Sequence, residues 1–197
     1  MNKHIQHLQT VVSAWAHPLP ELANKILSDA RFAQWPATLD RHHGEPGGLA
    51  RHTGEVYDIA VNTLHTMNCA EKIDLVTIYF AVLYHDIGKL HDFQLVTPNA
   101  DGVQMYEKVA HDRLIHHINR SALMWSQDVR QYPKVDAQYH DAVLHCILSH
   151  HGRREWGSAV APSSREAWLV HLADMMSARM DSYDKIGRLG SDQQSPI

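Results

Sequence analysis

Five short stretches carry side chains that bind divalent metals: His52, His85-Asp86, His116-His117, His150-His151 and Asp174, in that order along the chain. Imidazole and carboxylate are the ligands of borderline, catalytically useful divalent ions. The set holds enough donors for two ions. Asp86 is the natural shared ligand, because a carboxylate has two oxygens to give.

Each stretch has an ordinary reading beside the chemical one. The segment Leu75 to Tyr84 is apolar on nearly every face, which predicts a helix buried all round, and it runs directly into His85-Asp86. A carboxylate there is costly to bury unless paired or metal-bound. A capping Asp is the alternative, and the company of the other stretches favours the ligand. Asp174 lies among Leu169, Leu172, Met175 and Met176, which the sequence places in the core, with Arg179 as an alternative partner. His150 and His151 end an apolar helix. Adjacent helical positions diverge by about 100°, so both rings serve one ion only where the helix stops, and Gly152 supplies that stop. His116 and His117 border the same apolar residues, and spacing leaves both open. His52, one turn after Gly47-Gly48, reads alone as a polar-face histidine. His140 and His145 read as solvated or core residues.

The elements that position these groups are helical nearly throughout. Helices are predicted at about 4–16, 20–33, 49–67, 72–90, 106–131, 135–151 and 164–183, with stops at Pro18, Pro36, Pro133 and Gly152. The last opens on a capping-box pattern, Ser163 to Glu166. No strand is expected. The prediction is an all-α, single compact helical bundle: an N-terminal helical extension at 1–40, a metal-binding domain at 41–186 and a polar tail at 187–197.

Composition narrows the function. The 197 residues suit one well-buried domain, and no apolar run suggests a membrane span or signal peptide. Cys69 and Cys146 lack any CxxC spacing and read as buried free thiols, so a cytoplasmic location is expected. The net charge of -4 provides no global basic field for nucleic acid. A polyanionic substrate must be drawn by metals and a local patch.

The order His52, His85-Asp86, Asp174 resembles the H…HD…D signature of the HD-domain metal-dependent phosphohydrolases, and the extra histidines resemble the two-metal subset. The stretches HHGEPGGLARHT (42–53), LYHDIGKL (83–90) and SHHGRREWGSAVAPSSREAWLVHLADMMSARM (149–180) resemble in particular the catalytic domain of the YhaM-type 3′-5′ exoribonucleases. The resemblance implies that His52, His85, Asp86 and Asp174 hold one divalent ion and that Asp86, His117, His150 and His151 hold a second. Mn or Fe is favoured among Mn, Fe, Mg, Ni, Co and Zn. It makes Asp86 and Lys89 catalytic, Lys89 on a phosphate oxygen, and His43 and Arg153 candidate substrate contacts, with His42 beside them. The implied substrate is a phosphoester, in particular short single-stranded RNA or DNA. A nucleotide or cyclic dinucleotide is the alternative, and a di-iron oxygenase or a non-catalytic metal-binding module less so. Two features depart from the pattern: some 40 residues read as helical precede the motifs where the family carries an OB-type domain, and Ser177 stands where a second Asp is usual.

Overall fold

Asp74 starts the helix around which the protein is built: its Oδ1 accepts from the Val76 and Thr77 amides at 2.8 and 3.2 Å, capping α5 (Leu75–Tyr84). Every side chain from Thr77 to Tyr84 is buried. Such a helix has no polar face, so its neighbours must enclose it. The computed structural model describes residues 2–67, 70–96, 102, 104–110 and 114–191. Among these, α4 (Gly48–Met67), α6 (His117–Val129), α7 (Pro133–Ser149) and α8 (Arg165–Ser191) all pack on α5. At the N-terminus, α1 (Lys3–Ser13), α2 (Leu19–Leu27) and the short α3 (Ala30–Gln34) add Leu8, Leu22 and Phe32 to the same core cluster. Edge-on aromatic contacts tie the layers, with Trp15 and Tyr57 on Tyr79 and Trp125 on Tyr84. Burying a side chain such as Phe80 or Leu83 contributes roughly 1.5–3 kcal/mol. The architecture is an all-α helical bundle with one small hairpin.

That hairpin corrects the expected helix from 106. Strand β1 (Phe93–Val96) pairs antiparallel with β2 (Met105–Lys108), Phe93 opposite Lys108. Tyr106 anchors it, its ring on Trp35 and its hydroxyl donating to the Gln34 carbonyl at 2.8 Å. Helix α6 therefore begins only at His117. Other boundaries move for local reasons. The expected helix over 20–33 breaks because Asp29 accepts from the Arg31 amide and starts α3. Helix α6 stops before Pro133 as expected, at Val129, and Pro133 itself opens α7, ahead of the expected start at 135. Ser164, not Ser163, caps α8, accepting from the Ala167 amide, while Ser163 bonds to His145 and Glu166 accepts from the Asp74 amide. Helix α8 continues past 187, and the rest of the expected tail lies outside the described residues. So does Cys69. Cys146 is buried, and burial pushes its thiol up to about 12. No described helix is long and apolar enough to cross a membrane.

Candidate metal centre

Two helices end on the same device. His85 caps the C-terminus of α5 and His150 that of α7. The last carbonyls of a helix lack intrahelical partners. His85 Nδ1–H donates to the Val82 carbonyl and His150 Nδ1–H to the Ile147 carbonyl, each at 2.7 Å. A carbonyl only accepts, so each ring carries its proton on Nδ1 and keeps the Nε2 lone pair for the protein centre. His151 repeats this beyond the helix, donating from Nδ1 to the Trp156 carbonyl at 2.6 Å. Gly152, at φ +81°, turns the chain after the pair.

His52 uses side chains instead. Its Nδ1 lies 3.0 Å from Ser177 Oγ, and the Ser177 hydroxyl donates to Glu55 Oε2 at 3.1 Å. The carboxylate must accept, so Ser177 gives it the hydroxyl proton and accepts from His52 Nδ1–H. His52 thereby also presents Nε2. Glu55 is fixed in turn by His43 Nε2 and Arg51 Nε, both at 2.8 Å, and despite its partial burial these partners hold it down at about 2. His52 is fully buried, not on a polar face.

These nitrogens converge on Asp86. Its Oδ2 lies 3.6 Å from His52 Nε2 and 3.5 Å from His85 Nε2; its Oδ1 lies 3.4 Å from His117 Nε2 and 3.8 Å from His150 Nε2. Asp174 Oδ1 joins the first group, 3.1 Å from His52 Nε2 and 3.9 Å from His85 Nε2. His151 joins the second: the donor atoms of His117, His150 and His151 lie within 4.8 Å of one another, as do those of His52, His85 and Asp174. Gly88 permits the closeness, since a Cβ there would overlap the His117 carbonyl. His117 turns inward while His116 is exposed beside it.

The donor set fits divalent cations. Asp86 Oδ1, His117 Nε2 and His150 Nε2 are buried with no hydrogen-bond partner, which is costly unless an ion takes their lone pairs. The Nε2 lone pairs of His52 and His85 face each other at 3.3 Å. Burial holds His52 below its ordinary value and His117 and His150 well below, keeping them neutral. Burial also lowers His85, but the Asp86 and Asp174 carboxylates outweigh it and raise its pKa. Burial raises Asp86, yet the Lys89 ammonium and the surrounding imidazoles hold it well below the carboxylate range; His52 does the same for Asp174. Deprotonated carboxylates and neutral imidazoles are the forms that ligate.

The centre opens into a cleft of about 980 Å³ whose walls include Arg41, His42, Lys89, Lys108, Trp156 and Arg179. Lys89 Nζ is 2.6 Å from Asp86 Oδ2. Two expected substrate contacts are displaced. His43 is fully buried, its amide on Asp181 and its Nε2 on Glu55, and His42 lines the cleft in its place. Arg153 does not line the cleft but sits over the Trp156 ring, 5.0 Å from its centroid. Around Asp174, Leu169 is buried as expected, but Leu172, Met175 and Met176 are exposed, because α8 turns its Ala173 and Ser177 side inward. Arg179 lines the cleft, and His52 is the partner of Asp174. Sequence reasoning missed Glu55, Arg41 and Lys108. The i, i+4 spacing of Arg51 and Glu55 was the one available signal.

Comparison with known proteins agrees with this geometry. The chain is 27% identical over 157 residues to the 3′-5′ exoribonuclease YhaM of Bacillus subtilis (strain 168), covering 80% of this chain and 46% of that protein. It is 29% identical over 157 residues to the YhaM exoribonuclease of Shouchella clausii (strain KSM-K16), covering 78% and 45%. It thus spans about half the length of these curated relatives. No solved structure matches significantly. The HD-domain family matches residues 49–179, a span from the start of α4 to the cleft face of α8 that takes in both donor groups, and the chain belongs to that family.

Proposed function

We propose that this protein is a divalent-metal-dependent phosphohydrolase that cleaves phosphodiester bonds, acting as a 3′-5′ exonuclease on short single-stranded nucleic acid. The observation that carries this reading is the pair of donor groups meeting at the two oxygens of Asp86, at the floor of a cleft that bears Arg41, Lys89, Lys108 and Arg179. His52, His85, Asp174 and Asp86 would hold one ion, and His117, His150, His151 and Asp86 the other. An imidazole-rich set suits Fe, Ni or Zn better than Mg, and the carboxylates Asp86 and Asp174 also admit Mn. When bound, such a pair supplies Lewis-acid stabilisation of phosphoryl charge and lowers the pKa of water.

The chain's own residues do the rest. Lys89, anchored on Asp86, offers its remaining N–H donors to a non-bridging phosphate oxygen. The Lys and Arg side chains of the cleft are matched in number by its aspartates, so bound divalent ions would supply the net positive field for a polyanion that the overall charge of -4 does not attract. His42 is held neutral, pushed down to about 3 by burial and by His52. Its Nδ1 meets His43 Nδ1 at 3.0 Å, while His43 Nε2 donates to Glu55. His42, the ring of the pair that lines the cleft, is the one placed to contact a substrate hydroxyl. A single strand enters such a cleft more readily than a stacked duplex.

A second reading, hydrolysis of a nucleotide or cyclic dinucleotide, is favoured by one observation: about 980 Å³ is the scale of a small-molecule site. The deciding experiment loads the protein with Mn²⁺ and supplies short RNA and DNA labelled separately at each end, beside mononucleotides and cyclic dinucleotides. Progressive loss from the 3′ end is expected. Internal cuts, or turnover of nucleotides alone, would move the assignment to the second reading.

A further inference from the structure

Apart from histidines, Trp156 is the one half-exposed aromatic among the described residues that line the cleft, 49% exposed where Phe93 is 7% exposed. Its backbone is tightly held. It closes the 3₁₀ turn Arg154–Trp156, its amide donating to the Arg153 carbonyl at 3.1 Å and its carbonyl accepting from His151 Nδ1 at 2.6 Å. One hydrogen bond and one imidazole therefore separate this residue from the nitrogen that faces the second donor group. The Arg153 guanidinium lies over the indole, 5.0 Å from its centroid, and stiffens the side chain.

A rigid aromatic surface beside a phosphate-binding centre has an evident complement in nucleotide chemistry. Asp86, Lys89 and Trp156 line one cleft, so a phosphate held at the first two would leave its sugar and base in the same cavity as the indole. A nucleobase stacks on an indole regardless of its hydrogen-bonding edge. A base inside a duplex has both faces occupied and cannot do so.

Resting on the phosphodiesterase reading, we propose that Trp156 is a stacking platform for the nucleobase next to the scissile phosphate. It makes the substrate a base-bearing strand rather than any phosphodiester. The site recognises the π-face and not base identity.

The test uses the Mn²⁺-loaded full chain and two hydrolysis-resistant phosphorothioate trinucleotides of equal charge, one oligoadenylate and one abasic, read before measurable cleavage. Fluorescence anisotropy gives each protein's preference, the ratio of the two Kd values, so a general loss of affinity cancels. Wild type should prefer the base-bearing probe by about 5- to 150-fold, the ratio equivalent to roughly 1–3 kcal/mol per stacked base. Trp156→Ala and Trp156→Leu should bring the ratio near unity, and Trp156→Phe should keep most of it. Trp156→Leu retains apolar bulk, which guards against a folding defect in the alanine variant. An unchanged ratio in Trp156→Leu, or no base preference in wild type, overturns the platform. Cleavage of end-labelled oligonucleotides by the same wild-type preparation then shows whether the phosphodiesterase reading stands without it.

Discussion

Replacing Ser177 by Ala should weaken one of the two proposed ions and leave the other alone. Ser177 touches no donor of the second group. Its contacts are His52 Nδ1 at 3.0 Å and Glu55 Oε2 at 3.1 Å. In Ser177→Ala the buried Nδ1–H of His52 either stays protonated without an acceptor or gives up its proton to Nε2. The first costs about 1–3 kcal/mol as an unsatisfied buried donor. The second occupies the lone pair that the ion needs. Partners of this kind, which orient a metal-binding histidine, typically change affinity about 10- to 100-fold, or roughly 1.4–2.8 kcal/mol. The two magnitudes agree. The apo fold should lose little, because His52 can move its proton to Nε2, 3.1 Å from Asp174 Oδ1, while Glu55 keeps His43 and Arg51; an ion at Nε2 must reverse that shift and leave Nδ1–H without an acceptor. Calorimetric titration of Mn²⁺ into the apo protein should show two binding events in wild type. In Ser177→Ala one should be 10- to 100-fold weaker and one intact, and Ser177→Thr should recover most of the loss. Two events within twofold of wild type in Ser177→Ala would refute the relay.

Three further outcomes follow from the same geometry. Asp86→Ala should remove both ions, by elemental analysis, and leave the buried Lys89 ammonium without its carboxylate, at a cost of about 3–5 kcal/mol in chemical denaturation; a variant with full metal and turnover contradicts the shared ligand. His117→Ala should lose one ion and His116→Ala none, since only His117 brings Nε2 to Asp86 Oδ1; the opposite result assigns the wrong ring. For pH, His85 is raised in the apo fold, so its proton stabilises that state below about 6.5 and the benefit is lost as pH rises through the raised value. An ion must displace this proton, so apparent Mn²⁺ affinity should fall by up to about tenfold per unit as pH is lowered below the raised His85 value. Proton release on binding, from calorimetry in buffers of differing ionisation enthalpy, checks it, and its absence counts against His85 as a ligand.

Much of the fold and of the donor set was legible because it is local. The apolar run into His85-Asp86 predicts a buried helix ending at a charge, and Gly152 after His150-His151 predicts the chain turn that lets both rings face one group. Failures came where a distant residue outweighs local preference. Met105 to Lys108 pairs as a strand because its partner is Phe93 to Val96, while Tyr106 docks on Trp35 and Gln34. Leu172, Met175 and Met176 have the composition of a core, yet α8 rotates its small residues inward, so apolar character did not predict burial there.

The sequence by itself determined which atoms can ligate, their order, and the helix ends that carry them, since residue type and 3.6-residue periodicity need no knowledge of neighbours. Only the tertiary structure decided that His117 and not His116 turns inward, that His43 is a buried strut while His42 faces the cleft, and that Ser177, 125 residues from His52, sets its tautomer through Glu55. Spacing along one helix fixes a direction relative to that helix alone. Where two such directions meet depends on how the helices pack, and that is settled by enclosing α5 on all sides.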